Sequence, residues 1–413
     1  IDETEIKHVV LCSIGGLLGG LKGTIVNFVI RKIKKMIPSY SLPDAVRFKA
    51  ALNIGRGKPV PNHQSAQNDT VILQYTGGTT GVAKGATLTN QNLLANMEQV
   101  KSIFLSQLKE KEEVGLCPLP LYHIFAFTVN CLVLTSLGCP SVLIVNPRDI
   151  PSVVKDWKKY NPSIFPAVNT LFNALLNNED FQKLDFSNLK IPIAGGMALQ
   201  TSVAEKWEKV TGIRIIEGYG LTETSPVASV NPLDGNDRLG TIGYPVPSTD
   251  MRIVNDEGQE VPVGETGEIQ IEGPQVMKGY FNKVEETENV LKEGWFSSGD
   301  IGLMEEDGYF KIVDRKKDMI LVSGFNVFPN EVEEVATLCD KVLEAAAVGF
   351  PDEKSGEHVK LFVVKKDPSL TKEELMEHLK LNLTNYKRPK EIEFRTELPK
   401  SNVGKILRRE LRK

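Results

Sequence analysis

The feature that most restricts this chain is a loop of glycine and threonine residues at positions 76–81, followed closely by Lys84. The apolar run at 71–75 predicts a buried strand before the loop, and the spacing of apolar residues from Thr89 onward predicts a helix after it. A backbone of strand, glycine loop and helix can wrap a phosphate group, because glycine N–H groups approach an anion closely. The loop lacks the Gly-Lys-Ser/Thr ending of a Walker A motif. A glycine-rich connector without a ligand is the alternative, and the loop alone does not decide between the two.

The composition is that of an ordinary globular protein. Of 413 residues, 41% are hydrophobic and 25% are charged, and the formal net charge is −4. A weakly acidic chain gives no reason to expect a nucleic-acid partner. The five cysteines are scattered without a Cys-x-x-Cys pair, which favours a reducing cytoplasm over a zinc site or a disulfide framework. The length predicts two or three domains, and because the chain opens at Ile1 we expect that an N-terminal stretch is missing.

A basic segment at residues 22–37 carries five lysine or arginine residues and no acidic residue. At helical spacing its apolar residues fall on one stripe, and its basic residues lie mostly off that stripe. The stripe consists of Val26, Val29, Ile30, Ile33 and Ile37. This pattern is typical of a helix that lies on an anionic membrane surface. A surface helix that packs on the protein's own core shows the same pattern and is more common, so both interpretations stay open.

Predicted strands alternate with predicted helices between residues 141 and 217, which indicates a parallel sheet covered by helices on both faces. The predicted strands are 141–145, 191–194 and 213–217, and the predicted helices are 151–159 and 202–210. The carboxyl ends of parallel strands bind ligands in such sheets. The candidate residues after two of these strands are Gly195, Gly196, Tyr219, Thr222 and Glu223. Glu223 could equally be a solvated loop carboxylate, and His123, in an apolar run, either packs in the core or lines a substrate pocket.

Two further regions follow this sheet. Short predicted strands between residues 238 and 313 indicate a small antiparallel sheet or open barrel, and Asp300 follows a glycine turn within it. A charged link at 314–318 leads to a small α+β region, in which a capping box predicts a helix start at Thr371. Near the end of the chain, Lys405 follows Gly404 in what reads as a loop tip; an inert charged tail is the alternative.

Five segments, in order along nearly the whole chain, resemble the motifs of the AMP-forming acyl-CoA synthetase, adenylation-domain and luciferase superfamily. These segments are 75–86, 218–225, 294–300, 314–328 and 399–408. Within the superfamily, the chain most resembles bacterial long-chain fatty-acid–CoA ligases. Its segments 119–126, 314–329 and 399–411 are nearly identical to the corresponding segments of those ligases. Those ligases carry a long additional N-terminal stretch, which agrees with the expectation that one is missing here.

The resemblance implies a fold and a reaction. The fold is an α/β large domain, residues 1–316, with parallel sheets flanked by helices and a small β-barrel-like part, followed by a mobile α+β C-terminal domain, residues 317–413. In the reaction, ATP and a long-chain fatty acid first give an acyl-adenylate and pyrophosphate. Coenzyme A then displaces AMP to give acyl-CoA. The small domain is implied to rotate about a hinge at Lys317 between the two steps.

The resemblance also implies residue roles. Lys405 would bridge the attacking carboxylate and the α-phosphate, Glu223 would hold Mg²⁺, and Thr222 would lie near the α-phosphate. Lys84 and the loop would hold the β- and γ-phosphates. The loop residues are Thr76, Gly77, Gly78, Thr79, Thr80 and Gly81. The other nucleotide-binding residues are Tyr219, Gly195, Gly196 and Gly220 around the adenine, and Asp300 and Arg315 at the ribose. His123 would line the substrate pocket, and Gly324 would line the coenzyme A path.

The sequence also leaves other functions and partners open. A relative that activates aryl acids, loads a carrier protein or oxidises a luciferin is the rival within enzymes, and a non-catalytic, membrane-bound acyl or nucleotide sensor is the rival from another class. The predicted location is the cytoplasm, with peripheral binding to the inner face of the cell membrane through residues 22–37 where that segment meets anionic lipid. A homodimer is a further expectation from the family.

Overall fold

The computed structural model describes residues 4–62, 64–76 and 83–412. The predicted site residues Gly77, Gly78, Thr79, Thr80 and Gly81 lie outside the described residues. The chain divides into two compact units, residues 1–65 and residues 66–413.

The strands of the described residues are, in chain order, β1 (Val10–Leu11), β2 (Val46–Arg47), β3 (Thr70–Thr76), β4 (Lys84–Thr89), β5 (Gly115–Cys117), β6 (Ser141–Leu143), β7 (Ile164–Ala167), β8 (Ile191–Ala194), β9 (Ile216–Gly220), β10 (Val227–Val230), β11 (Tyr244–Pro245), β12 (Asp250–Val254), β13 (Gly267–Glu272), β14 (Gly279–Tyr280), β15 (Leu291–Lys292), β16 (Trp295–Met304), β17 (Phe310–Arg315), β18 (Ile320–Val322), β19 (Phe325–Val327), β20 (Val342–Asp352), β21 (Gly356–Lys365) and β22 (Glu391–Arg395).

The α-helices of the described residues are α1 (Gly20–Phe28), α2 (Phe48–Gly55), α3 (Asn90–Phe104), α4 (Ile124–Ala126), α5 (Leu134–Ser136), α6 (Ile150–Tyr160), α7 (Asn169–Leu176), α8 (Thr201–Thr211), α9 (Val284–Val290), α10 (Pro329–Thr337), α11 (Lys372–Asn382) and α12 (Arg408–Leu411). Segments Val29–Ile33 and Phe127–Val133 are π-helical, and Phe181–Lys183, Thr222–Thr224 and Asn385–Lys387 are 3₁₀-helical.

In the first unit, the basic segment forms a shorter helix than predicted. Helix α1 passes into the π-helical segment, which ends at Ile33, so the prediction that Ile37 belongs to the helical stripe is wrong. Lys35 has a φ of 47°, and Ile37 precedes Pro38, whose ring disfavours a helical conformation of the residue before it. Residues 31–40 are all exposed, so the basic side chains of the segment reach solvent.

The predicted alternation of strands and helices is confirmed in the second unit. A seven-stranded sheet has the order β11-β10-β9-β8-β7-β5-β6; β6, β5, β7, β8 and β9 pair in parallel, and β10 and β11 continue it antiparallel. Every residue of β5, β7 and β8 is buried, as expected for a sheet covered on both faces. Trp157 of α6 and Trp207 of α8 lie in the core against this sheet, with ring centroids 6.3 Å apart.

Strand β9 begins later than the predicted strand at 213–217. Gly212 ends α8 in a left-handed conformation with a φ of 76°, and the Thr211 hydroxyl donates to the Ile213 carbonyl at 3.2 Å. These contacts hold residues 211–213 in a turn, which the pattern of apolar residues in the sequence does not indicate. As a consequence Tyr219 and Gly220 are the last two residues of the strand.

The predicted order of buried strand, loop and helix around the glycine loop is wrong in two respects. Strand β3 is exposed or only partly buried along its length, and a second strand, β4, lies between the loop and the helix. Strand β4 pairs antiparallel with β3 and with β14, and the β14 partner is too distant in sequence to leave a local signal. The predicted helix start is confirmed, because the Thr89 side chain caps α3 by accepting the Asn92 N–H at 3.3 Å.

The region from residue 238 onward forms an antiparallel sheet of five strands, β12-β13-β16-β15 with β17 on β16. Strand β16 was not predicted, although it carries Asp300. Its glycines lower its apparent strand propensity, and Gly302 is required by close packing, since a Cβ there would lie 2.6 Å from the Lys311 carbonyl oxygen.

The C-terminal region has the predicted α+β fold. Strands β19-β18-β21-β20 form a sheet with β22 on β21, and α10 and α11 cover it. The Thr371 hydroxyl caps α11 as predicted, by accepting the Glu374 N–H at 3.1 Å, whereas the Glu374 carboxylate pairs with Lys341 at 2.7 Å. The buried apolar clusters of this region lie within residues 320–411, and the proposed boundary between residues 316 and 317 stays a prediction.

Candidate active site

Three predicted site residues from different strands meet at the end of β9. The Tyr219 hydroxyl donates to Asp300 Oδ2 at 2.8 Å, and Arg315 Nε lies 3.2 Å from Asp300 Oδ1. The register of β16 and β17 places Asp300 opposite Arg315. Burial and the negative charge of Asp300 raise the pKa of Tyr219 well above its ordinary value, so Tyr219 stays a neutral donor. Asp300, only 4% exposed, is therefore a carboxylate held from two sides.

The predicted glycines around this cluster sit where side chains cannot be accommodated. A Cβ on Gly195 would lie 3.1 Å from the Phe125 ring, and a Cβ on Gly220 would lie 2.0 Å from the Pro226 carbonyl oxygen. Gly196 has a φ of 80°, in the left-handed region that favours glycine. Close packing against Phe125 and Pro226 thus accounts for Gly195 and Gly220, whereas Gly196 is exposed and leaves bare backbone just after β8.

Lys405 reaches the same cluster from the C-terminal region. Its loop is closed by the Ser401 N–H, which donates to the Lys405 carbonyl at 2.8 Å, and by an antiparallel bridge between Lys400 and Ile406. The Thr170 hydroxyl, at the start of α7, donates to the Gly404 carbonyl at 3.1 Å and docks the loop on this helix.

The charges around Lys405 change its protonation. Burial, and after it the positive charge of Arg315, lower the pKa of Lys405 to about 7, while the negative charge of Asp300 opposes this change. The predicted lysine at the loop tip therefore lies within electrostatic reach of Asp300 and Arg315.

His123 lies close enough to Lys405 for the two charges to interact. Burial, with a smaller contribution from the positive charge of Lys405, lowers the pKa of His123. Its Nδ1 accepts the Phe125 N–H at 3.3 Å, which caps the short helix α4 and fixes the ring. His123 is half-buried, which leaves both interpretations, a core residue and a pocket wall, open.

A second cluster joins Lys84, Glu223 and Tyr280. The Tyr280 hydroxyl donates to Glu223 Oε1 at 2.7 Å, and Lys84 Nζ lies 5.1 Å from the centroid of the Tyr280 ring. Glu223 belongs to the 3₁₀ turn after β9, together with the predicted residue Thr222. The Thr76 hydroxyl donates to the Lys84 carbonyl at 3.4 Å across β3 and β4. Lys84 and Glu223, which are distant in sequence, are thus brought together at the two sides of one aromatic ring.

Two further predicted residues lie in exposed turns. Lys317 is exposed in the turn after β17, where partial loss of hydration and the charge of Arg315 lower its pKa to about 8. Gly324 lies in the exposed turn between β18 and β19, with a φ of 83°, and a Cβ added there would meet open space. Within residues 4–62, 64–76 and 83–412, no group of three or more His, Cys, Asp or Glu side chains is arranged to hold a metal ion.

Comparison with protein families agrees with this geometry. The model of the AMP-binding enzyme family matches residues 23–281, and that of the AMP-binding enzyme C-terminal domain matches residues 331–405. The chain belongs to the AMP-binding enzyme family. The resemblance found from the motifs is thereby confirmed, and the C-terminal match ends at Lys405.

Curated relatives of this AMP-binding enzyme match it along its whole length. It is 55% identical over 412 residues to a long-chain-fatty-acid–CoA ligase of Yersinia pestis, with 100% of this chain and 73% of the relative covered. It is 53% identical over 415 residues to the ligase of the same name from Haemophilus influenzae, with 100% and 74% covered. The chain therefore spans about three quarters of the length of these relatives.

Solved structures confirm the fold of this AMP-binding enzyme. The ATP-bound MatB of Rhodopseudomonas palustris aligns with a TM-score of 0.81 at 28% identity, covering 89% of this chain and 73% of that one. Apo MatB aligns with a TM-score of 0.70 at 27% identity, with the same coverage. The anthranilate CoA ligase AuaEII in complex with anthranoyl-AMP aligns with a TM-score of 0.81 at 28% identity, covering 93% of this chain and 75% of that one.

Two residues of this AMP-binding enzyme's site region were missed from the sequence. Tyr280 contacts Glu223 from a position 57 residues away, so no local pattern indicated it. Arg408 makes two hydrogen bonds to Glu333, at 2.8 and 2.7 Å, and its NH1 lies 3.5 Å from Asp314 and 3.4 Å from Asp318. The position of this arginine beside the Lys405 loop could have indicated a role from the sequence. Its acidic partners, which lie on both sides of the predicted hinge, are visible only in the fold.

Proposed function

We propose that this chain is an AMP-forming long-chain fatty-acid–CoA ligase. The observation that carries the proposal is the placement of Lys405 beside Asp300 and Arg315 by a loop docked on Thr170. The identities of 53% to 55% to long-chain-fatty-acid–CoA ligases support a fatty acid as the carboxylate substrate. ATP and coenzyme A are the co-substrates.

The first step joins two anions. A carboxylate oxygen of the fatty acid attacks the α-phosphorus of ATP, the bond between the α-phosphorus and the bridging oxygen breaks, and pyrophosphate leaves with the bond's electron pair. Lys405, in its ammonium form, binds the attacking carboxylate and the α-phosphate and stabilises the charge that accumulates between them. Thr222 donates from the other side, near the α-phosphate.

The nucleotide is held by the cluster at the end of β9. The adenine ring lies between the side chain of Tyr219 and the backbone of Gly195, Gly196 and Gly220. Asp300 accepts from the ribose hydroxyls, and Arg315, already paired with Asp300 at 3.2 Å, keeps this carboxylate oriented.

The leaving pyrophosphate faces the second cluster. Lys84, Thr76 and the loop residues 77–81 bind the β- and γ-phosphates. A single carboxylate, Glu223, fits Mg²⁺ in this setting, because Mg²⁺ is commonly bound by one or two carboxylates together with substrate phosphates. When bound, Mg²⁺ neutralises the phosphate charge. Glu223 Oε1 is oriented by Tyr280, which favours this role over that of a freely solvated loop carboxylate.

The second step uses a different orientation of the C-terminal domain, residues 317–413. The thiol of coenzyme A attacks the acyl carbonyl carbon, its proton passes to solvent, and AMP leaves with the electron pair of the broken acyl–phosphate bond. Rotation about Lys317 withdraws Lys405 and brings Gly324 toward the path of the thiol arm. In the described orientation Lys405 lies within electrostatic reach of Asp300 and Arg315, as the first step requires.

Membrane binding and dimerisation extend the proposal. Among the described residues, none of the helices has the length and apolar character needed to cross a bilayer. We propose a cytoplasmic enzyme that binds anionic lipid peripherally through residues 22–37, whose basic residues are exposed. We also propose a homodimer, which sedimentation velocity of the purified protein would reveal as a species of twice the monomer mass.

The decisive experiment is ATP–pyrophosphate exchange that depends on an added acid. Fatty acids of increasing chain length are compared with benzoate and malonate, each with and without coenzyme A. We expect exchange with long-chain fatty acids and acyl-CoA production only when coenzyme A is present. Exchange with the aromatic or dicarboxylic acid alone would assign another substrate class, and its absence with every acid would contradict the proposed function.

A further inference from the structure

Tyr280 is fixed by its backbone between the two elements that carry Lys84 and Glu223. Strand β14 pairs with β4, with Tyr280 opposite Ala86, and the Phe281 N–H donates to the Gly85 carbonyl at 2.8 Å. On the other side, the Met277 N–H donates to the Glu223 carbonyl at 2.8 Å. The backbone on either side of Tyr280 is therefore hydrogen-bonded both to β4 and to the turn that carries Glu223.

The side chain of Tyr280 contacts both charged groups at once. Its hydroxyl donates to Glu223 Oε1 at 2.7 Å, and its ring faces Lys84 Nζ at 5.1 Å from the centroid. Burial and the negative charge of Glu223 raise the pKa of Tyr280, so the hydroxyl keeps its proton and Glu223 is the acceptor. The contact with Lys84 is a cation–π interaction. One neutral residue thus contacts both an anion and a cation, Glu223 through its hydroxyl and Lys84 through its ring.

We propose that Tyr280 is a positioning residue for adenylate formation, which holds the Glu223 carboxylate and the Lys84 ammonium apart and oriented for a metal-bound triphosphate. This inference rests on the proposed function. Without the hydroxyl, Glu223 loses the hydrogen bond that fixes its carboxylate, so its orientation toward a metal-bound triphosphate is no longer set. A purely structural tyrosine, packed beside the apolar cluster of this region, would affect stability but not the response to metal.

The test compares Tyr280→Phe, which removes only the hydroxyl, with Tyr280→Leu, which also removes the aromatic face. Tyr160→Phe is the matched control, because its hydroxyl contacts the exposed residue Lys159 away from the site. The binding readout is calorimetry with α,β-methylene-ATP, which cannot release pyrophosphate, with and without Mn²⁺. The activity readout is fatty-acid-dependent exchange across a Mg²⁺ titration, and thermal melting monitors folding.

The hydroxyl of Tyr280 bonds to a charged group, so its loss should reduce the gain in analogue affinity produced by Mn²⁺ by about tenfold. Tyr280→Phe should need a correspondingly higher Mg²⁺ concentration for half-maximal exchange, and saturating Mg²⁺ should restore most of the rate. Tyr280→Leu should in addition weaken binding of the metal-free analogue, since Lys84 loses its support. Thioester formation from supplied acyl-adenylate should be unchanged in both variants, and Tyr160→Phe should match the wild-type protein throughout.

An equal Mn²⁺-dependent gain in wild-type and Tyr280→Phe proteins would overturn the inference, whether or not the melting temperature falls. A wild-type protein that binds the Mn²⁺ analogue but shows no exchange with any acid would contradict the proposed function instead. In that event the calorimetric comparison alone decides whether Tyr280 positions the two charges.

Discussion

Lys405 is the residue whose surroundings are best suited to one proposed step and not to the other. Arg315 and Asp300 lie close enough to change its pKa, and its loop is hydrogen-bonded to helix α7 through Thr170. During attack on the α-phosphate two anions approach each other, whereas thioester formation begins with a neutral thiol and an acyl-adenylate. The same lysine therefore has an electrostatic role in the first step that it lacks in the second.

Lys405→Ala should nearly abolish adenylate formation and leave thioester formation intact. Loss of one charge-assisted hydrogen bond at such a site costs about 3–4 kcal/mol, which slows the step by a factor of about 10² to 10³. Adenylation is measured as ATP–pyrophosphate exchange, and thioester formation as acyl-CoA released from supplied acyl-adenylate. Lys400→Ala, a lysine of the same loop that pairs with Glu344, is the control. Equal slowing of both steps by Lys405→Ala would mean that the residue is structural.

The pKa of Lys405 predicts a pH dependence for the first step. Because its pKa is lowered to about 7, the ammonium form is complete only below that value and is lost as the pH rises through it. We expect kcat/KM for exchange, which reports the free enzyme, to fall above about pH 7. Lys405→Arg keeps its charge to above about pH 12, so its profile should stay level where that of the wild type falls. Parallel profiles would assign the decline to another group.

The element that delivers Lys405 is a tight turn, and its geometry depends on Gly404. This glycine has a φ of 82°, and a Cβ there would lie 3.0 Å from Thr170 Oγ1 and 3.3 Å from Val168 Cγ2. The turn can lie flat on α7 only because it carries no side chain at this position. Arg408, just beyond the turn, pairs with Glu333 and approaches Asp314 and Asp318, which ties the base of the loop to both sides of the proposed hinge.

Gly404→Ala should impair the first step selectively, because the added methyl group pushes the turn away from Thr170. We expect exchange to fall by about tenfold, the equivalent of about 1.4 kcal/mol, while thioester formation from acyl-adenylate is retained. Gly258→Ala is the matched control, since Gly258 has a similar φ of 79° but open space around it. If both substitutions reduce exchange alike, backbone strain in general, and not docking of the turn, accounts for the loss.

Lys317→Pro should impair thioester formation and spare adenylate formation, the opposite of the effect expected for Lys405→Ala. Proline fixes φ and restricts the preceding residue, so a hinge that must change its dihedral angles becomes stiff. We expect the adenylate to form at close to the wild-type rate and thioester formation to stall. A pre-steady-state assay that follows both products would separate the steps, with Lys317→Ala as the control that removes the side chain but leaves the backbone free. Normal acyl-CoA production by Lys317→Pro would contradict a hinge at this residue.

At the scale of the whole molecule, the two compact units differ in how completely they bury their apolar residues. Residues 66–413 contain the large apolar cores, whereas many large apolar side chains in the first unit are exposed, among them Leu17, Leu21 and Phe28 at 73%, 76% and 58%. Exposed apolar residues next to exposed basic ones are the combination that an anionic lipid surface attracts.

Reversal of three charges in the basic segment should therefore reduce membrane binding without changing the chemistry. Each basic residue near an anionic surface contributes about 1 kcal/mol, so Lys32, Lys34 and Lys35 changed together to Glu should release the protein from vesicles. Co-sedimentation with vesicles of anionic lipid measures this, and exchange with micellar substrate should stay normal. The matched control reverses three exposed lysines elsewhere: Lys155, Lys158 and Lys209. Unchanged vesicle binding would contradict a lipid-binding role and favour a helix that packs on the protein's own core.

The sequence by itself determined the α/β alternation, the start of α3 at Thr89, the antiparallel region around Asp300 and the family. These features depend on periodicity, capping and motif residues, all of which are local along the chain. Only the tertiary structure decided that β4 follows the glycine loop, that β16 carries Asp300, and that Tyr280 bridges Lys84 and Glu223. In each case one partner is distant in sequence: β14 for β4, β13 for β16 and Glu223 for Tyr280, so no local window contains all the contacts that stabilise the element. The position of Lys405 near Asp300 belongs to the same class. The sequence shows that this lysine lies in a loop, but it does not show against which part of the fold the loop packs.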